Sequence, residues 1–130
     1  MIVVDASVVA EILLATPHGE ALAEEFFSAG VPLQASHLLD IEVTSALRHC
    51  LRRGEISAAR CETAVADLAN LRIHRHGHQL LLARIWELRD MLTAYDAAYA
   101  VLGEMLGAKL VTRDARLGRA PGLRVEVLVR

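Results

Sequence analysis

Aromatic residues make up only 4% of this sequence, and cysteine occurs just twice. A folded core must therefore be built from aliphatic side chains, which the hydrophobic fraction of 54% supplies. That hydrophobic content excludes an intrinsically disordered chain. The two cysteines, Cys50 and Cys61, occur in helix-like sequence without a CxxC motif. We therefore expect reduced thiols that pack in the core rather than a disulfide.

Long apolar runs and a strong excess of charge are also lacking. No stretch approaches the roughly 18 apolar residues of a membrane-spanning helix, and the start lacks the positively charged region of a signal peptide. A cytoplasmic protein is expected. The net charge of -2 predicts no general affinity for nucleic acid, so any RNA contact must come from local patches. At 130 residues, the chain is expected to form one domain over residues 1–130.

Short apolar runs alternate with longer segments of helical periodicity. The runs at residues 1–5, 31–36, 72–77, 109–114 and 123–129 have the length and composition of strands. The segments between them predict helices, including one over residues 78–92 and another that Thr93 caps, whereas residues 116–122 predict a loop. This alternation predicts an α/β fold with a mainly parallel central sheet of four to five strands and helices on both faces.

Two acidic residues follow predicted strands, and two interrupt apolar helical segments. Asp5 follows the first strand and Asp114 the fourth, and parallel sheets place their sites beyond the carboxyl ends of the strands. Glu42 and Asp96 are flanked by apolar residues in predicted helices. A carboxylate is costly to bury alone, and only Asp114 has basic neighbours in sequence. A shared cation would satisfy all four acids together.

Each of these acids also has a structural interpretation that the spacing leaves open. Asp5 is a candidate N-cap for the helix that begins near Ser7, and Asp96 occupies the third position of a capping box. Asp114 suits a turn, and Glu42 suits a solvated helix face. No short motif links the four positions, so spacing alone does not decide between the two interpretations.

Four blocks of the sequence resemble one protein family in order and in length. The blocks are MIVVDASVVAEIL, LLDIEVTSALRHCLRRG, LTAYDAAYAVL and LVTRDARL, and they extend over essentially the whole chain. Together they resemble the PIN-domain ribonucleases, and in particular the VapC-type toxins of bacterial type II toxin–antitoxin pairs. This resemblance implies a three-layer α/β/α sandwich and a metal-dependent endoribonuclease that acts on single-stranded or looped RNA. It also implies a homodimer and a VapB-type antitoxin as partner.

The resemblance further implies roles for individual residues. The family's catalytic, metal-binding acids correspond here to Asp5, Glu42, Asp96 and Asp114. Their oxygen ligands suit a hard cation, Mg²⁺ or Mn²⁺. Ser7 and Thr112 match positions where the family tends to place a hydroxyl near the metal. The chain departs from the family pattern in two places, because no further acid follows the fourth one closely and no proline shortly precedes the helical glutamate.

Arginines occur near two of the acids and are candidates for contacts with RNA phosphates. They are Arg48, Arg52 and Arg53 on the predicted helix of Glu42, and Arg113, Arg116 and Arg119 around Asp114. Contacts of this kind make activity sensitive to salt. A solvated helix end and a solvated loop account for the same residues.

Several competing interpretations remain. His74, His76 and His78 alternate along a predicted strand and suggest a zinc or nickel site, although no cysteine or acid lies nearby in sequence to complete it. Phosphotransfer enzymes of the haloacid-dehalogenase type need an aspartate where Ser7 stands, which counts against them. A non-catalytic domain that binds RNA or protein is the alternative function.

The remaining acids and apolar residues have simpler expected roles. Asp40 and Asp90 are expected at the surface or behind the metal ligands. The segment of residues 78–92 has more apolar residues than one helix face needs, including Leu80, Leu82 and Trp86. These side chains either pack against the core or form the seam of a dimer.

Overall fold

The computed structural model describes residues 1–130 and contains a central sheet of five strands in the order β3-β2-β1-β4-β5. The strands are β1 (Ile2–Val4), β2 (Leu33–Ser36), β3 (Ile73–His76), β4 (Lys109–Thr112) and β5 (Val127–Val129). Every neighbouring pair is parallel. The predicted α/β class is confirmed, and the sheet is parallel throughout rather than mainly parallel.

The strand order creates a switch point at the centre of the sheet. From β1 the chain builds β2 and β3 on one side and then returns to build β4 and β5 on the other. Val4 of β1 is in register with Val111 of β4, so the residues after these two strands emerge side by side. Ligands of open parallel sheets bind in the crevice at such a point, beyond the carboxyl ends of the strands.

Seven α-helices connect the strands. They are α1 (Ala6–Leu14), α2 (Pro17–Ala23), α3 (Leu38–Arg52), α4 (Ala58–Asn70), α5 (Leu82–Glu87), α6 (Ala94–Leu106) and α7 (Ala115–Gly118). Thr16, Ser57 and Thr93 cap α2, α4 and α6 with their side-chain oxygens, which satisfy backbone N–H groups that have no partner within the helix. None of the helices combines the length and the apolar character needed to cross a bilayer.

Helices cover both faces of the sheet. Val3 and Val4 are both fully buried, as are Leu110 and Val111, and consecutive residues of a strand point to opposite faces. Burial of both residues of each pair therefore requires a layer of helices on each side. The protein is a three-layer α/β/α sandwich, as the resemblance implied. Its core of 30 buried hydrophobic residues is largely aliphatic.

The segment of residues 78–92 differs from the single helix predicted there. A 3-10 turn (Gln79–Leu81) leads into α5, which ends at Glu87, and the following residues form turns before Thr93 starts α6. Three of its apolar residues pack in the core, namely Leu81, Ile85 and Leu88, and four remain exposed, namely Leu80, Leu82, Trp86 and Met91. The apolar periodicity was thus correct for the buried face, but the chain must reverse direction to begin α6, which a continuous helix would prevent.

Two smaller expectations have mixed outcomes. The predicted loop at residues 116–122 begins inside the short helix α7. Cys50 and Cys61 are free thiols, as predicted, and only Cys61 is fully buried.

Candidate active site at the carboxyl ends of strands β1 and β4

Asp5 comes directly after β1 and is buried. It is the N-cap of α1, because its Oδ1 accepts hydrogen bonds from the backbone N–H groups of Ser7 (3.0 Å) and Val8 (3.2 Å). The capping interpretation is therefore confirmed. The second carboxylate oxygen, Oδ2, takes no part in capping the helix. Burial raises the pKa of Asp5 above its ordinary value, although hydrogen bonds from Ser7, Thr112 and Val8 oppose the rise.

Two hydroxyl groups connect Asp5 to the loop after β4. Ser7 Oγ donates to Asp5 Oδ1 (2.6 Å) and accepts from the backbone N–H of Arg113 (3.0 Å). Thr112 Oγ1 donates to Asp5 Oδ2 and accepts from the backbone N–H of Asp114 (3.0 Å). Each carboxylate oxygen of Asp5 is thus linked through one hydroxyl to one peptide group of the neighbouring loop. The two hydroxyls that the resemblance placed near a metal are the side chains that hold Asp5.

Replacing Thr112 with valine is expected to destabilise the protein by about 1–3 kcal/mol, the cost of leaving buried polar groups without partners. Valine has nearly the same shape and a high strand propensity, but it removes the donor to Asp5 Oδ2 and the acceptor for the Asp114 N–H. Urea denaturation measures the loss. Thr112→Ser keeps the hydroxyl and is the matched control. Equal stability of the valine variant and the wild type would show that the hydroxyl link is unimportant.

Glu42 lies on α3 and faces Tyr99 of α6. The Tyr99 hydroxyl donates to Glu42 Oε2 over a long distance of 3.5 Å, whereas Glu42 Oε1 is buried and has no hydrogen-bond partner. Burial raises the pKa of Glu42, and the negative charges of Asp96 and Asp5 raise it further. A solvated helix face therefore does not describe Glu42. Oε1 is buried without a hydrogen-bond partner and lies beside two other carboxylates. A bound cation would stabilise the ionised form of Glu42 in these surroundings.

Asp96 and Asp114 line one cavity of about 200 Å³. Asp96 is the third residue of α6, and its backbone N–H donates to the cap Thr93 (3.2 Å), which confirms the Thr93 half of the predicted capping box. Asp114 caps α7 by accepting from the backbone N–H of Arg116 (2.8 Å), and the Arg116 guanidinium contacts both Asp114 oxygens at 3.2 and 3.0 Å. This ion pair lowers the pKa of Asp114, which therefore stays ionised.

The four acids lie near one another in pairs, but they do not surround a single point as the ligands of one ion would. Glu42 lies within the electrostatic reach of Asp5 and Asp96, and Asp96 shares a cavity with Asp114. No three acid, histidine or cysteine side chains are close enough together to coordinate one ion. Like charges repel at short range, and Arg116 neutralises Asp114. The donor atoms are nevertheless all oxygens, which suit a hard divalent cation. Glu42 Oε1 has no hydrogen-bond partner and is free to bind such an ion.

Four of the six arginines that are candidates for RNA contacts fall into two groups. Arg113 and Arg116, which flank the acids, already form salt bridges, Arg113 with Glu11 and Arg116 with the fourth acid. Arg48 and Arg52 are exposed along α3, the helix that carries Glu42. The second group is therefore available to solvent, whereas the first group also organises the site.

The histidines of β3 do not form a set of metal ligands. The rings of His74 and His76 lie 4.4 Å apart, and His76 Nε2 is hydrogen-bonded to Gln34 Oε1 at 2.7 Å. Burial lowers the pKa of His76, and the proximity of His74 and His37 lowers it further. Because no third ligand is near, the zinc or nickel interpretation lacks a site.

The other two acids lie apart from this site. Asp40 is bound by the Arg75 guanidinium, with Nη2 to Oδ1 at 2.8 Å and Nε to Oδ2 at 2.9 Å. Asp90 is exposed. Asp40 therefore has its own counter-charge, which distinguishes it from Glu42 two residues further along the same helix.

The sequence interpretation missed Tyr99, whose hydroxyl is the hydrogen-bond partner of Glu42. Burial and the charge of Glu42 raise the pKa of Tyr99, so the phenol stays protonated and can donate. Its spacing from Asp96 was an available signal, because residues three apart share one face of a helix.

Comparisons with known proteins agree with this geometry. A family model described as "PIN domain" matches residues 2–123. The chain is 39% identical over 117 residues to VapC ribonuclease Mb0985 of Mycobacterium bovis, a match that covers 90% of this chain and 88% of that protein. It is 35% identical over 127 residues to ribonuclease VapC12 of Mycobacterium tuberculosis, covering 98% of this chain and 97% of that protein.

Solved structures show the same fold. The crystal structure of PAE2754 from Pyrobaculum aerophilum matches with a TM-score of 0.71 and 25% identity, over 96% of this chain and 81% of that one. The crystal structure of VapBC2 from Rickettsia felis, bound to a DNA fragment from its promoter, matches with a TM-score of 0.65 and 15% identity. That match covers 98% of each chain.

Proposed function

The chain belongs to the PIN-domain family, and on this premise we propose that it is a metal-dependent endoribonuclease that acts as the toxin of a toxin–antitoxin pair. The observation that carries the proposal is the buried Oε1 of Glu42, which has no hydrogen-bond partner and lies within reach of the charges of Asp5 and Asp96. The names of the VapC relatives support the choice of RNA as substrate. Residues 1–130 would then form a single PIN domain.

The proposed ion is Mg²⁺ or Mn²⁺, held by Asp5, Glu42, Asp96 and Asp114. When bound, such an ion polarises a phosphate oxygen and lowers the pKa of a coordinated water. This chemistry requires no serine, histidine or cysteine nucleophile. The oxygen donors suit the ion chemically, and the unused Oε1 of Glu42 offers it a ligand. The acids would have to move together on binding, because no three of them lie close enough for one ion.

The surrounding side chains orient these acids. Ser7 and Thr112 hold the two oxygens of Asp5, so the carboxylate keeps one orientation beside the loop that follows β4. Tyr99 restrains Glu42 from the side of α6. Arg116 holds Asp114 through both oxygens, and Oδ2, which accepts a single hydrogen bond, keeps room for a further partner.

We assign the attraction of the RNA phosphates to Arg48, Arg52, Arg113 and Arg116. An acidic site needs cations at its rim, because the net charge of -2 gives the protein no general attraction for a polyanion. Arg48 and Arg52 are exposed and can contact phosphates directly. Binding through such contacts weakens as the salt concentration rises.

Treatment with a chelator tests the proposal. Purified protein with a mixed single-stranded RNA is expected to cut the RNA in Mg²⁺ or Mn²⁺, to lose that activity in EDTA and to regain it when the ion is restored. Denaturing gels and sequencing of the RNA ends measure the cleavage. The ion alone is expected to raise the midpoint of thermal unfolding, because it binds only the folded state. Cleavage that persists in EDTA would reject metal dependence, and RNA binding without cleavage in any metal would favour the non-catalytic alternative.

The proposed partners follow from the family. We propose that a VapB-type antitoxin holds the activity in check and that the toxin is a homodimer. The cytoplasmic location predicted from the sequence stays a prediction.

A further inference from the structure

An apolar cavity of about 560 Å³ lies next to the acidic cavity. Leu82, Trp86 and Arg89 are part of its lining. Leu92 and Thr93 line both this cavity and the one that contains Asp96 and Asp114, so the two cavities are adjacent and share these residues as a common wall. Its volume lies within the range of roughly 300–1,000 Å³ that is usual for sites of small organic groups.

Trp86 and Arg89 form an exposed pair at this cavity. The Trp86 side chain is 67% exposed, although it is the largest apolar side chain of the protein. The Arg89 guanidinium lies 4.8 Å from the centre of the Trp86 ring and donates to the Trp86 backbone carbonyl at 3.0 Å. No salt bridge of the chain includes Arg89. A flat aromatic surface and an unpaired cation are thus held together beside the acids.

We propose that this cavity is the subsite for one unpaired nucleobase of the RNA strand, next to the phosphate that lies at the acids. The base stacks on the Trp86 indole, and the Arg89 guanidinium contacts the adjoining phosphate. Stacking on aromatic side chains and on arginine is the usual way in which proteins hold single-stranded bases. This inference rests on the proposed function, because it takes the RNA substrate from it and adds the place of one base.

Charge and proximity favour a nucleobase over a second copy of the chain as the occupant. The unpaired cation of Arg89 complements a polyanion, and only the shared residues Leu92 and Thr93 separate this cavity from the acidic one. A strand that places a phosphate at the acids therefore has a neighbouring base within reach of the apolar cavity.

Intrinsic fluorescence tests base contact directly, because Trp86 is the only tryptophan of the chain. A single-stranded oligoribonucleotide is expected to quench Trp86 emission in Mg²⁺, measured in the Asp5→Asn variant so that the strand stays intact. An abasic ribose-phosphate oligomer of equal length carries the same charge and is expected to leave the emission unchanged. Equal quenching by both oligomers, or no change with either, would overturn the subsite.

Cleavage kinetics provide the second test. Trp86→Ala is expected to lower kcat/KM by about ten-fold or more, the size of effect that loss of base stacking produces, mainly through a higher KM. Trp86→Phe should recover most of the loss, because phenylalanine also stacks. Phe27→Ala is the matched control, because Phe27 is 42% exposed and lines neither of the two cavities.

The two proposals fail in different ways. Absence of cleavage by the wild-type protein in any metal would reject the nuclease and leave the fluorescence test to judge base binding. Normal cleavage with an unchanged kcat/KM in Trp86→Ala would reject the subsite alone. If Trp86→Ala instead lowers the molecular mass in analytical ultracentrifugation while RNA leaves the emission unchanged, Trp86 belongs to a contact between copies and the subsite is wrong.

Discussion

Replacing Asp5 with asparagine is expected to abolish RNA cleavage and to leave the protein folded. The substitution removes the negative charge at the end of β1, and the rate should fall at least about a hundred-fold, the upper limit for loss of a group that only supports a metal ligand. Asparagine is as good an N-cap as aspartate, so its Oδ1 can still accept from the backbone of Ser7 and Val8. Its Nδ2 takes the place of Oδ2 and cannot accept from the Thr112 hydroxyl, whereas removal of a buried charge offsets part of that loss. The free energy of unfolding should therefore fall by about 1 kcal/mol, and the protein stays folded.

Asp5→Ala separates the chemical role of Asp5 from its structural one. This variant should be equally inactive, but it should also be about 2–4 kcal/mol less stable, because it loses the cap and leaves the buried Thr112 hydroxyl without an acceptor. Gel assays of RNA cleavage and urea denaturation measure the two effects. Cleavage at the wild-type rate by Asp5→Asn would remove Asp5 from the catalytic site.

Replacing Glu42 with glutamine is expected to abolish cleavage and, unlike most substitutions, to stabilise the protein at neutral pH. In the wild type, burial and the charges of Asp96 and Asp5 disfavour the ionised form of Glu42. Glutamine removes that charge at nearly constant shape. The midpoint of thermal unfolding should rise by about 4 °C for each kcal/mol gained in a domain of this size.

The stabilising effect of Glu42→Gln should depend on pH with a definite sign. Because the pKa of Glu42 is raised in the folded state, that state binds the proton more tightly than the unfolded chain does. The stability of the wild type therefore falls as the pH rises from the ordinary glutamate value of 4.5 through the raised one. Glutamine does not titrate, so the advantage of the variant should appear over this pH range and disappear in more acidic solution.

Asp40→Asn is the matched control for Glu42→Gln, since Asp40 lies on the same helix but has its own partner, Arg75. It should keep full activity and lose up to about 1 kcal/mol of stability, the usual range for a partly exposed ion pair. Calorimetry across pH, with cleavage assays at neutral pH, compares the two variants. A Glu42→Gln protein that is less stable than the wild type at neutral pH would contradict the unfavourable charge at position 42.

Much of the site was predictable because parallel strands of an α/β sheet end at a common edge. Asp5 and Asp114 follow strands that turned out to be neighbours, and the sequence already showed each of them at the end of an apolar run. The capping roles of Asp5 and Thr93 were predictable as well, because a cap depends on residues that are close in sequence.

Other features depended on contacts between distant segments. The pairing of Asp114 with Arg116 is a local exception. The sequence identified Arg116 as a basic neighbour of Asp114 and as a candidate for RNA contact, and the structure shows that it binds the carboxylate. Tyr99 was missed because its role depends on α6 facing α3, which brings its hydroxyl to a residue 57 positions away. The prediction of a single helix over residues 78–92 was wrong. The spacing of apolar residues identifies the buried face of a helix, but it does not show where the chain must turn before α6.

By itself the amino-acid sequence determined the alternation of strands and helices, the caps and the positions of four acids, because these depend on local periodicity and on residues a few positions apart. Only the tertiary structure decided how the acids are arranged: Asp5 held by two hydroxyls, and Glu42 half-buried with its Oε1 buried and without a partner. The physical reason is that burial and electrostatic interaction depend on distances in space, which the order of the strands sets.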